Sequence, residues 1–343
     1  MNDQQAGTAG PGYDHRPSGR ALPAWGDVSG GRRPGRARGR LMVAPLVGLA
    51  VVLSGCTGAQ GAASPAPSQA AAAPGPEQSA TPRAKEPARQ APAPDAEIPK
   101  DPSRLARALA ATTADLRRAT DAWVRDGDPG KGEPPEPVVL LALHQQRVYR
   151  YLARNPTVAS RTYAKLPKAL AKEAKDNVTA ARGLLSLVRP ISGSAKFRVR
   201  PPKPANVLLG HFRRAERRFG VEWEVLAAVM FVETKFGRVR SPSHTGAQGP
   251  MQFMPGTWAA YGMGGDVHDT GDAVLAAANY LHASGAPRDY RRALFAYNHS
   301  QAYVDAVLLH AGQMKRDIRN YYAYYNWQVF VVTTRGDRRL TGP

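Results

Sequence analysis

The chain has 343 residues, with 47 Lys and Arg against 27 Asp and Glu, for a formal net charge of +20. So basic a balance suits an anionic partner, but no groove-reading motif accompanies it, which argues against nucleic acid. The 8 histidines are scattered singly, without HExxH or paired ligand spacing, so neither a zinc centre nor any other metal or cofactor site is expected.

Near the N-terminal end, Arg32, Arg33, Arg36, Arg38 and Arg40 precede an apolar run from Leu41 to Leu53 and then Ser54-Gly55-Cys56. A basic region, a short apolar region and small residues describe a secretory signal, too short to span a membrane comfortably. The Leu53-Ser54-Gly55-Cys56 end resembles a bacterial lipobox. That resemblance implies diacylglycerol on the Cys56 sulfur, the only cysteine of the chain, and a mature protein starting there. Residues 1–56 are thus expected to be a signal segment. Residues 57–100 hold 14 alanines and 9 prolines, a composition that buries no core and predicts a disordered tether. The expected location is the outer face of the cytoplasmic membrane, lipid-anchored, with the tether reaching a polymer layer outside it.

Residues 101–190 read as a helical accessory domain: Leu105, Leu109 and Leu116 on a first helix, then Val138 to Arg154, then Leu166 to Val188, with a Pro/Gly-rich break at Asp128–Pro137. Nothing there carries recognisable chemistry, and spacer, wall-binding module and docking surface all stay open. Pro201, Pro202 and Pro204 mark residues 191–204 as a linker.

From Asn206 a helix buries Leu208, Phe212, Ala215 and Phe219 and stops at Gly220. A second helix, from about Glu222 to Phe236, has an inward row of Leu226, Val229 and Met230 that continues to Glu233. Val225, Ala228, Val232 and Phe236 make its other faces apolar as well. A carboxyl there is desolvated, which favours its neutral form and raises its pKa, as a general acid requires. The competing reading is a helix-end glutamate that turns to water or pairs with Lys235 or Arg238.

The loop Gly246–Trp258 follows. Gln252 offers a donor and an acceptor, Met251 and Met254 adaptable apolar surface, and Gly246 and Gly249 close backbone approach. Phe253 and Trp258 are expected to pack in the core. Asp266, Asp269 and Asp272 lack the central Gly and terminal Glu of a calcium loop, so Asp272 is read as the N-cap of a helix burying Val274, Ala277, Ala278 and Leu281. The next helix brings Tyr290, Leu294 and Tyr297 to one face, and Ser300 caps another carrying Tyr303, Val307 and Met314. The aromatic stretch 321–332 is expected to cover the domain rather than stack on a ligand, and residues 333–343 are a tail.

Four segments, in order, carry a resemblance: Glu233-Thr-Lys-Phe-Gly237, Ser241-Pro242, Gly249-Pro-Met-Gln-Phe-Met-Pro-Gly-Thr257 and Ala296-Tyr-Asn298. Together, over roughly residues 205–315, they resemble the core motifs of the lytic transglycosylases of bacterial cell walls. The resemblance implies a mainly α, goose-type lysozyme-like domain, here residues 205–332. It also implies peptidoglycan glycan strands as substrate, cut at the β-1,4 bond between N-acetylmuramic acid and N-acetylglucosamine. Glu233 would protonate the glycosidic oxygen and then act as base while the muramic primary hydroxyl closes a 1,6-anhydro ring. One protein carboxylate then suffices where most glycosidases need two. Ser241 matches a serine that positions the carboxyl or substrate. Gln252, Met251 and Met254 match the sugar-binding loop, and Tyr297 and Asn298 the segment whose phenol is directed at the glutamate. Thr234 in place of Ser, and His299-Ser300 in place of Ala-Gly, depart from the pattern and leave the subfamily open. Two alternatives remain: a lysozyme-type hydrolase with Asp266 or Asp269 as second carboxylate, and a non-catalytic wall-binding scaffold.

Overall fold

The computed structural model describes residues 90–192 and 198–341. Cys56, the signal segment and most of the Ala/Pro-rich stretch lie outside the described residues. The first helix, α1 (Pro102–Asp126), starts where the Asp101 carboxylate accepts the Arg104 N–H at 2.8 Å and Pro102 supplies a first-turn residue with no N–H to satisfy. After the expected break come α2 (Glu136–Arg154), α3 (Pro156–Tyr163) and α4 (Lys168–Ser186). The short α3 has no counterpart in the sequence reading: Pro156 starts a new helix directly after Asn155 instead of a loop.

The next helix, α5 (Ala205–Phe219), buries Leu208, Phe212 and Ala215 and ends on Gly220, whose φ of 69° is the left-handed C-cap that glycine adopts without penalty. It is followed by α6 (Trp223–Thr234), α7 (Pro255–Tyr261), α8 (Thr270–Ala283), α9 (Tyr290–Tyr297), α10 (Gln301–Arg316) and α11 (Arg319–Tyr325). The cap of α8 is Asp269, not Asp272. The Asp269 carboxylate accepts the N–H groups of Gly271 at 2.7 Å and Asp272 at 3.0 Å, while Asp272 sits one turn in and accepts the Asp266 N–H. Ser300 caps α10 as expected. Past the aromatic stretch the chain forms an antiparallel hairpin of β1 (Val329–Thr333) and β2 (Gly336–Leu340), with Val329 opposite Leu340 and Thr333 opposite Gly336. Of the residues read as a tail, Gly336–Leu340 form its second strand.

The centre of the molecule is α6, whose residues from Val225 to Phe231 are buried on every face. It packs against α5, α8, α10 and α11, and α10 lies between it and α4. Fully burying one such side chain contributes about 1.5–3 kcal/mol. An aromatic layer spans the same junction: Phe231 of α6 stacks on Tyr324 of α11 at 5.1 Å and meets His310 of α10 edge-on at 4.8 Å, and Trp327 closes on Tyr149 of α2 at 5.9 Å. The stretch 321–332 is thus largely core.

A polar seam runs beside this layer. Arg117 pairs with the buried Glu173 at 2.7 Å, the Tyr324 hydroxyl donates to Asn177 Oδ1 at 2.7 Å, and Arg316 pairs with Asp176 at 2.6 Å. The helices of residues 101–190 consequently share one core with the later ones. Both flanking segments are tied down as well. Ala91 and Ile98 pack on the core, Arg147 donates to the carbonyls of Pro94, Asp95 and Ala96, and Ile191 and Val199 bridge to Thr333 and Val239. Among the described residues no helix is long and apolar enough to cross a membrane.

Candidate active site

Glu233 occupies the last turn of α6, which stops two residues sooner than apolar periodicity suggests. Lys235, Phe236 and Gly237 take φ values of 54°, 60° and 79° in succession. Two non-glycine residues in the left-handed region cost of order 1–2 kcal/mol each, so the turn must be held by its surroundings. Thr234 and Phe236 hold it. The buried Thr234 hydroxyl accepts the Gly237 N–H at 2.8 Å and donates to the Pro250 carbonyl at 2.7 Å. Phe236, fully buried, lies against Phe231 and Tyr321 at 5.7 and 5.5 Å. The chain reverses there and leaves the Glu233 side chain half-buried at the helix end.

Burial pushes the Glu233 carboxyl up to about 7, opposed by the phenol of Tyr303 and the ammonium of Lys235. Both phenols beside it are buried. Tyr303, from α10, faces the carboxyl, and its hydroxyl has no fully formed hydrogen bond within the described residues. Tyr297, the last residue of α9, donates to the Met251 carbonyl at 2.7 Å. Its own ionisation is pushed up by burial first and then by Glu233. Lys235 folds back over α6, with Nζ donating to the Phe231 carbonyl at 2.9 Å and standing 4.1 Å from that ring's centre. Burial and Arg150 push its ammonium down to about 7, against the pull of Glu233.

The loop beside the carboxyl is fixed by its backbone. Gln248 and Phe253 exchange N–H···O bonds at 2.9 Å, closing a tight reversal. Gly249 has a φ of 73°, and a Cβ there would sit 1.9 Å from the Val267 carbonyl oxygen, so no other residue fits. Gln252 is also left-handed, at 52°. Its Nε2 donates to the Gly249 carbonyl at 2.9 Å, and its half-buried amide oxygen accepts nothing from the described residues.

The expected site residues separate on this frame. Glu233, Tyr297 and the Gln252 loop converge. Met254, half-buried, opens α7. Asn298, half-buried, leaves α9 in extended conformation and anchors the Ser300 N–H at 2.7 Å. The Met251 side chain is fully buried, so it packs in the core and offers its carbonyl, not its thioether, to the site. Ser241 serves the neighbouring segment: its hydroxyl accepts the Arg198 N–H at 3.0 Å. Phe253 is in the core, as expected, and the half-buried Trp258 packs against it edge-on at 5.3 Å. Asp266 and Asp269 are exposed and accept backbone N–H groups. Among the described residues no three His, Cys, Asp or Glu side chains are grouped to hold a metal ion. Two contributors escaped the sequence reading, Thr234 and Tyr303. The only signals for them were the place of Thr234 next to the glutamate and that of Tyr303 one turn after the Ser300 cap.

A helix-end carboxyl raised to about 7 by burial, flanked by two buried phenols and a rigid Gly/Gln loop, is an acid poised for chemistry. The family model of the transglycosylase SLT domain matches residues 210–320, which run from within α5 into α11 and include every one of these groups. This region is an SLT transglycosylase domain. The match supports lytic transglycosylase action on peptidoglycan for this region, carried by a mainly helical lysozyme-like domain. No curated protein and no solved structure matches the chain. In the SLT domain the matched segment holds Glu233, Gln252 and Tyr297 but not α1–α4, which supply much of the packing behind α10.

Proposed function

We propose that this SLT domain cuts the β-1,4 bond between N-acetylmuramic acid and N-acetylglucosamine without water, with Glu233 as the single acid and base. The protonated Glu233 gives its proton to the glycosidic oxygen as the bond from the anomeric carbon to that oxygen breaks. The resulting carboxylate then takes the proton of the muramic primary hydroxyl as that oxygen bonds to the anomeric carbon. The product ends in a 1,6-anhydro sugar, the carboxyl is regenerated neutral, and no water is consumed.

The observation that carries this reading is the isolation of the acid. Among the described residues, the side chains that influence the Glu233 carboxyl are those of Tyr303 and Lys235, and neither is a carboxylate. A hydrolase of the usual kind places a second carboxylate roughly 5–9.5 Å away, and the acidic candidates Asp266 and Asp269 are exposed and engaged in turn and cap hydrogen bonds. Gln252, Met254 and Asn298 are the groups proposed to meet the sugars, through amide hydrogen bonds and apolar contact. The chain is further proposed to act outside the cytoplasmic membrane, tethered through a lipid on Cys56.

Mass spectrometry of the muropeptides released by the protein from purified peptidoglycan tests the reaction. Anhydro ends are expected, and absent from digests with Glu233→Gln. Free reducing muramic ends would replace this reading with a hydrolase.

A further inference from the structure

The turn that ends α6 runs directly into a short ribbon of arginines. Val199 and Val239 form an antiparallel bridge, in which the Arg200 N–H donates to the Arg238 carbonyl and the Arg240 N–H to the Arg198 carbonyl, each at 2.9 Å. That register sets Arg198 opposite Arg240 and Arg200 opposite Arg238. Val199 is buried, so Arg198 and Arg200 on either side of it turn outward. Arg238 is drawn inward: its guanidinium donates to the Tyr325 carbonyl at 2.9 Å and lies 5.7 Å from that ring's centre. Arg198, Arg200 and Arg240 are exposed, and among the described residues none of the three has a carboxylate partner. Like charges facing each other across a strand pair cost stability. Partial burial and then Arg200 push the Arg240 guanidinium below its ordinary range. The ribbon is nonetheless held beside the acid. The Val239 N–H donates to the Thr234 carbonyl at 3.0 Å, and the Ser241 hydroxyl accepts the Arg198 N–H at 3.0 Å. Arg240 thus stands one residue, about 3.8 Å of chain, from a residue bonded to the neighbour of Glu233.

We propose that Arg198, Arg200 and Arg240 form a binding site for the carboxylates of the peptides that peptidoglycan strands carry. The inference rests on the proposed cleavage at muramic acid and names the substituent recognised there. The stem peptide hangs from the muramic ring whose anomeric carbon is attacked, so it enters the site with the bond that Glu233 cuts. Its free carboxylates are the anions brought in by the substrate itself. Guanidinium groups suit them, since each presents a planar fork matched to two carboxylate oxygens. A carboxylate seated between Arg198 and Arg240 also relieves the repulsion across the bridge. The sugars need no cation, and bond breaking is the work of Glu233. The ribbon therefore acts on selection, favouring strands with charged peptides over bare or amidated glycan.

The test measures kcat/KM for the full chain on two preparations of peptidoglycan strands, both freed of phosphodiester polymers. One keeps its peptide carboxylates and the other has them amidated. The parent is expected to favour the free carboxylates by about three- to thirtyfold, through KM more than kcat. That preference should disappear in Arg198→Gln/Arg200→Gln/Arg240→Gln and be kept in part in Arg198→Lys/Arg200→Lys/Arg240→Lys, which retains the charge. A parent that cuts both preparations alike overturns the proposal, as does a preference that survives in the Gln variant. Should the Gln variant fail to fold, the parent still decides: an ionic preference weakens as salt is added, and one that does not weaken sinks the proposal. A preference that appears only where phosphodiester polymers are left in place assigns the arginines to phosphate and equally overturns it. Absence of anhydro ends from both preparations with the parent, or cleavage persisting in Glu233→Gln, would instead overturn the reading of the acid on which the inference stands.

Discussion

The Thr234 hydroxyl donates to the carbonyl of Pro250 at 2.7 Å, joining the turn that ends α6 to the loop that faces it. This bond ties the residue next to the acid to the loop that carries Gln252. Replacing Thr234 by Val keeps the shape and strands both the Pro250 carbonyl and the Gly237 N–H in the interior. The expected loss is about 1–3 kcal/mol, read from urea unfolding, together with a fall in kcat. Thr234→Ser keeps the hydroxyl and should stay within about 1 kcal/mol of the parent.

Glu233→Gln should lower kcat by about 10²–10⁴-fold. It should also change stability in a pH-dependent way. Folding raises this carboxyl from its ordinary value of 4.5 to about 7, so the folded state binds its proton more tightly than the unfolded state does. The stabilisation from the neutral acid is complete below the unfolded value and is lost as pH rises through about 7. Thermal unfolding at pH 8 should therefore show Glu233→Gln more stable than the parent, by an amount of order 1–3 kcal/mol. At pH 4 the difference should nearly close. Equal melting temperatures at pH 8 would mean that the carboxyl ionises freely.

Gly249→Ala forces a methyl to within 1.9 Å of the Val267 carbonyl oxygen, at a φ of 73°. Backbone must move to relieve that contact, and the loop carrying Gln252 moves with it. Severe loss of glycan cleavage is expected, with destabilisation of more than about 2 kcal/mol. Gly256→Ala is the control, since a Cβ at Gly256 meets nothing within 4 Å.

A fragment beginning at residue 198 keeps the whole SLT match yet removes α1–α4. It uncovers the face of α10 that packs on α4 and takes away Asn177 and Tyr149, the partners of Tyr324 and Trp327. Such a fragment is expected to lose cooperative thermal unfolding in near-UV circular dichroism and to bind a hydrophobic dye. A sharp transition matching that of the longer chain would show the later helices to be self-sufficient.

Much of the catalytic region was legible in local pattern. The stripe of α5 with Gly220 behind it, the stripe of α8 and the Ser300 cap of α10 are local signals, and the helices followed them. The end of α6 was not, because Lys235 and Phe236 adopt conformations that neither residue favours and that distant packing imposes. Asp269 and Asp272 differ as caps only in which backbone N–H groups they reach, a matter of one turn that composition does not resolve. Met251 looked like a ligand surface because its neighbours are polar, but Tyr297 draws its carbonyl outward and its side chain goes to the core. The docking of residues 101–190 was invisible for a plainer reason: Arg117, Glu173, Asn177 and Arg150 meet partners up to about 190 residues away, and no periodicity encodes such pairs.

Arg147 of α2 grips three successive carbonyls of the incoming chain, at residues 94 to 96. In chain order this clasp precedes α1, so a pull from the N-terminal side loads α2 before it reaches α1.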